Sequence, residues 1–205
     1  MSRHKMVFVD VDTQADFMLP GGKLYVPRAE KLLPTLRTLR EFAEKNGIPV
    51  VSSADAHPPD SAEFQHWPPH CVQGTPGQAK VPETLLERRS ILPCDAAAIP
   101  KQEELAHTRQ WILEKDALDL FTNVNAGELF EKLDAERYVV YGVVTEYCVK
   151  HAVLGLLRRG RAVSVVRDAI QELDAAAGKA ALQEMQASGA TLLDSEAVLR
   201  SALAA

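Results

Sequence analysis

Four side chains able to do chemistry fall where apolar, β-branched runs stop. Asp12 follows "KMVFVDV", Asp55 closes "IPVVSSAD", Lys115 closes "QWILEK", and Cys148 comes just after "RYVVYGVV". A carboxylate next to a thiol can take its proton, and an ammonium can support the resulting charges. Cys148 also stands where the apolar run gives way to helical spacing. A thiol in the first turn of a helix meets the positive end of the helix dipole and free backbone N–H groups. Both favour thiolate and predict a nucleophile near neutral pH. The competing reading is a buried cysteine acting as a small hydrophobe; the acid and the lysine at neighbouring strand ends favour catalysis.

A second group lies in "SADAHPPDSAEFQHWPPHCVQGTPG". Asp55 and His57 are two apart at a strand exit, so their side chains leave on the same side of an extended backbone. His70 follows after a proline-rich loop. One carboxylate and two imidazoles leave coordination positions open, as in a catalytic zinc or similar divalent-metal site. Glu63 and His66 are further candidates, directly or through water. The alternative is a set of solvated loop histidines. Cys71, beside His70, makes no C-x-x-C pattern with any other cysteine.

These residues need a frame that brings strand ends together. The runs at 5–11, 48–57, 110–115, 137–144 and 162–169 predict strands, with a sixth in "GATLLD". Helices are predicted over 29–46, closed by Gly47, and over 126–133, 146–159 and 175–188. Strands alternating with helices give a three-layer α/β/α architecture with a mostly parallel central sheet, in which ligands bind at the carboxyl ends of the strands. The segment 58–82 reads as a long functional loop, and 83–109 as an excursion with short helices or an arm toward a second subunit. Trp111 is expected in the core, Cys94 in a structural role, His107 and His151 at a surface or interface, and Asp168 in a capping role.

The 205 residues are 46% hydrophobic and 25% charged, enough for one domain spanning 1–205 with its own core. The formal charge of -5 and the scatter of Lys and Arg leave no basic stripe for nucleic acid. No apolar run is long enough for a membrane span. Three cysteines without a pairing framework fit a reducing compartment, and the expected location is the cytoplasm.

Three blocks, "VDTQADFMLPGGKLYVP", "DAHPPDSAEFQHWPPHCVQGTPG" and "GVVTEYCVKHAVLGLLRRGRAVSVVRDAI", resemble the nicotinamidase branch of the isochorismatase-like cysteine hydrolases. The resemblance implies the isochorismatase-like hydrolase fold and a triad with Cys148 as nucleophile, Asp12 as general base and Lys115 as its support. It implies a divalent metal, foremost zinc with iron or manganese as alternatives, held by Asp55, His57 and His70, with Glu63 where some members place a further ligand. A cis peptide at Val143–Val144 would turn the Val144 N–H inward to join that of Cys148 as an oxyanion hole. Phe17 and Trp67 match positions that pack against a pyridine ring. The implied reaction is hydrolysis of nicotinamide through a thioester, a step of pyridine nucleotide salvage. A small-molecule amide is the only partner implied besides a homo-oligomeric copy. The chain departs from the family pattern at Ala15, commonly Asn, and after the lysine, where Asp116 replaces a common glycine and Phe121 is the expected aromatic cover. The alternative is a related cysteine amidase acting on a carbamoyl or ureido compound. A vinyl-ether hydrolase would lack the thiol and the metal ligands, and a non-catalytic binding protein would have no use for an intact acid, lysine and thiol together.

Overall fold

A computed structural model describes residues 3–99 and 107–203. Among the described residues seven strands form one sheet: β1 (His4–Val11), β2 (Val50–Asp55), β3 (Arg89–Leu92), β4 (Gln110–Lys115), β5 (Ala135–Val143), β6 (Val163–Gln171) and β7 (Thr191–Leu193). Their spatial order is β3-β4-β2-β1-β5-β6-β7, and every pairing is parallel. Among the described residues the α-helices are α1 (Ala15–Met18), α2 (Leu33–Asn46), α3 (Ala126–Lys132), α4 (Lys150–Arg158), α5 (Ala175–Ala187) and α6 (Ser195–Leu203).

The near-continuous apolar character of β1 has a direct cause, since both sheet faces are covered. Val7, Val9 and Val11 meet side chains of α3, α4 and α5, including Phe130, Val153 and Met185. Met6 and Phe8 point the other way, toward Leu36 and Leu39 of α2 and Val198 of α6. These are the three layers expected. Gly47 ends α2 in the left-handed region at φ 65°, its N–H donating to the carbonyls of Ala43 and Glu44, as in a helix C-cap. Asp168 caps as expected: its carboxylate accepts the Ser195 N–H at 2.7 Å where α6 begins. Trp111 is buried in the core.

The structure adds a strand to the segment 83–109. Among the described residues this segment holds a short 3₁₀ turn at Pro82–Thr84 and an edge strand, β3, so the sheet has seven strands. Residues 100–106 lie outside the described residues. A four-residue strand with Ile91 59% exposed carries neither the length nor the apolar pattern of the buried ones.

The chain leaves β1 for β2, goes out to the edge at β3 and back to β4, then crosses to β5 on β1's other side and continues to β6 and β7. The order reverses between β1 and β5, whose carboxyl ends form the crevice in which such sheets bind ligands. Close approach of those two ends depends on Gly142. It has φ 122° and pairs with Val11, and a Cβ there would lie 2.1 Å from the Val11 carbonyl oxygen.

Candidate active site

The crevice brings together residues that sequence separates by more than a hundred positions. Asp12 follows β1 with a left-handed backbone, φ 49°, and is fully buried. Its Oδ1 accepts the Ser53 hydroxyl at 2.7 Å, and its Oδ2 lies 2.9 Å from Lys115 Nζ. Lys115, the last residue of β4, is paired in register with Asp55 at the end of β2 and donates to Asp55 Oδ1. Lys115 Nζ also reaches Cys148 Sγ at 3.6 Å. Acid, lysine and thiol therefore form one contiguous buried cluster, as the strand ends suggested.

Electrostatics correct one expectation. Burial pushes the Cys148 thiol well above its ordinary value, with the Asp12 and Asp55 carboxylates pushing the same way and Lys115 opposing. Cys148 lies in a π-helical turn, Thr145–Val149, ahead of α4, and is almost wholly enclosed. The desolvation of a thiolate there acts against the helix dipole and favours the thiol. Burial likewise raises Asp12, with Lys115 the chief opposing influence. For Lys115, burial alone would lower its pKa, but Asp12 and Asp55 together more than offset it and hold the ammonium charged.

On the other side of Asp55, Oδ2 lies 3.6 Å from His57 Nε2 and 3.7 Å from His70 Nε2. Burial would raise Asp55, but Lys115 and the two imidazoles hold it below the usual carboxylate range. Ligand atoms of Asp55, His57 and His70 lie within 4.8 Å of one another, and all three residues are buried. His57 Nε2 is buried with no hydrogen-bond partner among the described residues. Such a lone pair is costly unless something fills the space it faces. A carboxylate oxygen and two imidazole nitrogens converging on that space suit a divalent cation. Glu63 Oε1 is 4.0 Å from His70 Nε2, within reach of the same space through a water. His66 is exposed and stands apart from this group.

Several supports were not evident from sequence. The Gln14 side chain clamps the Asp55 backbone, its Oε1 accepting the Asp55 N–H at 2.7 Å and its Nε2 donating to the Asp55 carbonyl at 2.8 Å. Asp16 Oδ2 accepts the Cys71 N–H at 2.7 Å and so anchors the strand of loop carrying His70. Glu146 accepts the N–H groups of Leu173 and Asp174, at 3.0 and 2.8 Å, and ties the turn that carries Cys148 to the loop before α5. Only the quoted blocks holding Gln14, Asp16 and Glu146 hinted at them.

Phe17, Trp67 and Val144 line the same pocket as Asp55, Glu63, His70 and Cys148. The Phe17 ring lies 5.3 Å from that of His70, and Trp67 packs edge-on against Tyr147 at 5.3 Å. The Val143–Val144 peptide is cis. Leu24, Leu118, Tyr147 and Leu173 complete an apolar wall. Phe121 is not part of it. Its ring packs on Phe130, under the Arg159 guanidinium and against Gly155 of α4, where a Cβ would come within 2.6 Å. Phe121 belongs to the 3₁₀ turn Leu120–Thr122, and Leu118 rather than Phe121 lines the pocket.

The chain matches the Isochorismatase domain family over residues 6–91 and 93–197. It is 31% identical over 212 residues to a nicotinamidase of Escherichia coli (strain K12), covering 89% of this chain and 91% of that protein. Among solved structures it is similar to a pyrazinamidase of Pyrococcus horikoshii in complex with zinc, at 27% identity and a TM-score of 0.76 over 93% of this chain and 99% of that one. It is also similar to an N-carbamoylsarcosine amidase from Thermoplasma acidophilum, at 26% identity and a TM-score of 0.73 over 93% and 96% of the two chains. The chain belongs to the isochorismatase family, in its nicotinamidase branch, and is a hydrolytic amidase.

Proposed function

We propose that this amidase hydrolyses nicotinamide to nicotinic acid and ammonia through a thioester on Cys148, with a divalent metal held by Asp55, His57 and His70 and with Glu63 beside it. The observation that carries the reading is the shared carboxylate. One oxygen of Asp55 meets the Lys115 that also contacts Asp12 and Cys148, and its other oxygen faces two buried imidazoles. The relative named nicotinamidase and the zinc complex of a pyrazinamidase support the substrate class and the metal. Zinc suits the donor set, with iron or manganese as alternatives.

Held by Asp55, His57 and His70, a divalent metal would supply Lewis-acid chemistry for anchoring the substrate. Phe17 and Trp67 flank the aromatic ring and exclude water. Asp12 takes the thiol proton as sulfur attacks the carboxamide carbon, since the thiol is protonated at rest. Lys115 stabilises the charge on sulfur and keeps Asp12 aligned. The N–H groups of Val144 and Cys148 receive the developing oxyanion. As the C–N bond breaks, Asp12 returns its proton to the departing nitrogen, which leaves as ammonia. Asp12 then draws a proton from water, the water oxygen attacks the thioester, and the C–S bond breaks. The proton goes back to sulfur and the acid is released. All three cysteines are free, which fits a cytoplasmic enzyme.

Ammonia release from nicotinamide by the metal-loaded protein, with Cys148→Ala alongside, tests this. Turnover by the wild type and none by the variant is expected. A folded, metal-loaded protein that ignores nicotinamide but hydrolyses a carbamoyl or ureido amide overturns the substrate. That outcome favours the chemistry of the N-carbamoylsarcosine amidase it resembles.

A further inference from the structure

We infer that Asp116 is a positioning residue for the metal site, fixing His57 directly and Glu63 through Ser61. The inference rests on the metal reading proposed above. Asp116 is the residue after Lys115, where β4 gives way to a bend that carries its side chain toward the loop of His57. Lys115 turns inward to Asp12 and Asp55, while the Asp116 carboxylate engages His57 Nδ1.

A carboxylate can only accept at that nitrogen, which places the ring proton on Nδ1. The lone pair is then on Nε2, the atom that faces Asp55 and has no partner of its own. His70 is oriented by the same logic with a weaker acceptor, its Nδ1 meeting the Pro68 carbonyl at 2.8 Å. A carboxylate behind an imidazole also makes that imidazole a more basic ligand than a carbonyl does. The two rings therefore present Nε2 to one space while differing in donor strength.

The second link runs through Ser61, whose hydroxyl donates to Asp116 Oδ1 at 2.9 Å. Ser61 Oγ itself accepts the Glu63 N–H at 3.3 Å and so caps the 3₁₀ turn Ala62–Gln65. One carboxylate at the end of β4 thus ties down both the loop of His57 and the turn of Glu63. Asp116 is itself 38% exposed, so its replacement removes little packing.

The test uses full-length protein stripped with a chelator, as wild type, Asp116→Asn, Ser61→Ala and His57→Ala. Affinity for zinc and manganese is read by competition with a chromophoric chelator, and site geometry by the visible bands of cobalt(II). Asp116→Asn is expected to weaken metal binding about 10- to 100-fold and to change the cobalt spectrum, with Ser61→Ala giving a smaller loss. Thermal midpoints of the metal-free proteins are expected to coincide. Asp116→Asn with wild-type affinity overturns the inference while wild-type binding lost in His57→Ala leaves the metal reading standing. A fall in the metal-free midpoint without loss of affinity also overturns it, because Asp116 would then only hold the loop. Wild-type protein that binds none of these metals overturns the metal reading and the inference with it.

Discussion

Replacing Lys115 by methionine removes the only ammonium among the described residues in contact with Asp12, Asp55 and Cys148 while keeping much of the side-chain volume. Two buried carboxylates are then left without a counter-charge. The cheapest response is for one to stay protonated, and Asp12, already raised by burial, is the one that will. Keeping a carboxyl neutral at pH 7 against an ordinary value near 4 costs about 4 kcal/mol, at about 1.4 kcal/mol for each unit. Breaking buried ion pairs elsewhere costs about 3–5 kcal/mol, which agrees. The sign with pH follows. Asp12 contributes this penalty only above the unfolded carboxyl value, so it shrinks as pH falls and reaches about 1.5 kcal/mol at pH 5. Lys115, raised in the folded state, stabilises the wild type throughout this range and loses that effect only at strongly alkaline pH. Urea unfolding of metal-free wild type and variant at pH 7 and pH 5 reads both numbers. A loss below about 1 kcal/mol at pH 7, or one that does not shrink at pH 5, would refute the charge argument.

The resting state of Cys148 gives a second expectation. Its alkylation by iodoacetamide should accelerate only at pH above that of free cysteine, about 8.5, because burial and two carboxylates hold the thiol protonated; a rate already at plateau below pH 7 would mean a preformed thiolate. Gly142→Ala should destabilise by more than about 4 kcal/mol or prevent folding, since the new Cβ meets the Val11 backbone. Gly127→Ala, in α3 with nothing within 4 Å, should be neutral or stabilise by about 0.5–1 kcal/mol. Thermal melts of the two variants side by side decide this, and similar melting of both would remove Gly142 from the argument.

What could be read from sequence followed from how much a residue's surroundings are fixed locally. Strands buried on both faces announce themselves as apolar runs, so β1, β2, β4 and β5 and the reactive residues at their ends were legible. Cys148, Lys115 and Asp12 converge because parallel strands put all carboxyl ends on one rim. β3 was not legible, since an exposed edge strand needs no apolar face toward solvent. Phe121 was misplaced because distance along the chain from Lys115 does not tell which way a 3₁₀ turn faces. The thiolate expectation failed because sequence shows a helix start but not how much water reaches it. The partner of Asp116 lies 59 positions away in a loop whose path only the fold determines.

The charges around the crevice do not balance by themselves. Asp12 and Asp55 are buried, Glu63 and Asp116 stand nearby, and among the described residues the one ammonium that meets them is Lys115. A neutral amide would not correct this excess, whereas a divalent cation between Asp55 Oδ2 and the imidazoles would. On the proposed reading Asp55 therefore divides its two oxygens between the halves of the site. With Oδ2 committed to a cation, Oδ1 is a poorer partner for Lys115, and the ammonium is left freer to serve Asp12 and the sulfur. Metal would then matter to proton transfer as well as to substrate anchoring. Repeating the Lys115→Met unfolding with saturating zinc reads this coupling, because a cation that partly neutralises Asp55 must reduce the destabilisation. A loss unchanged by zinc would show that the two halves of the site share a residue without sharing energy.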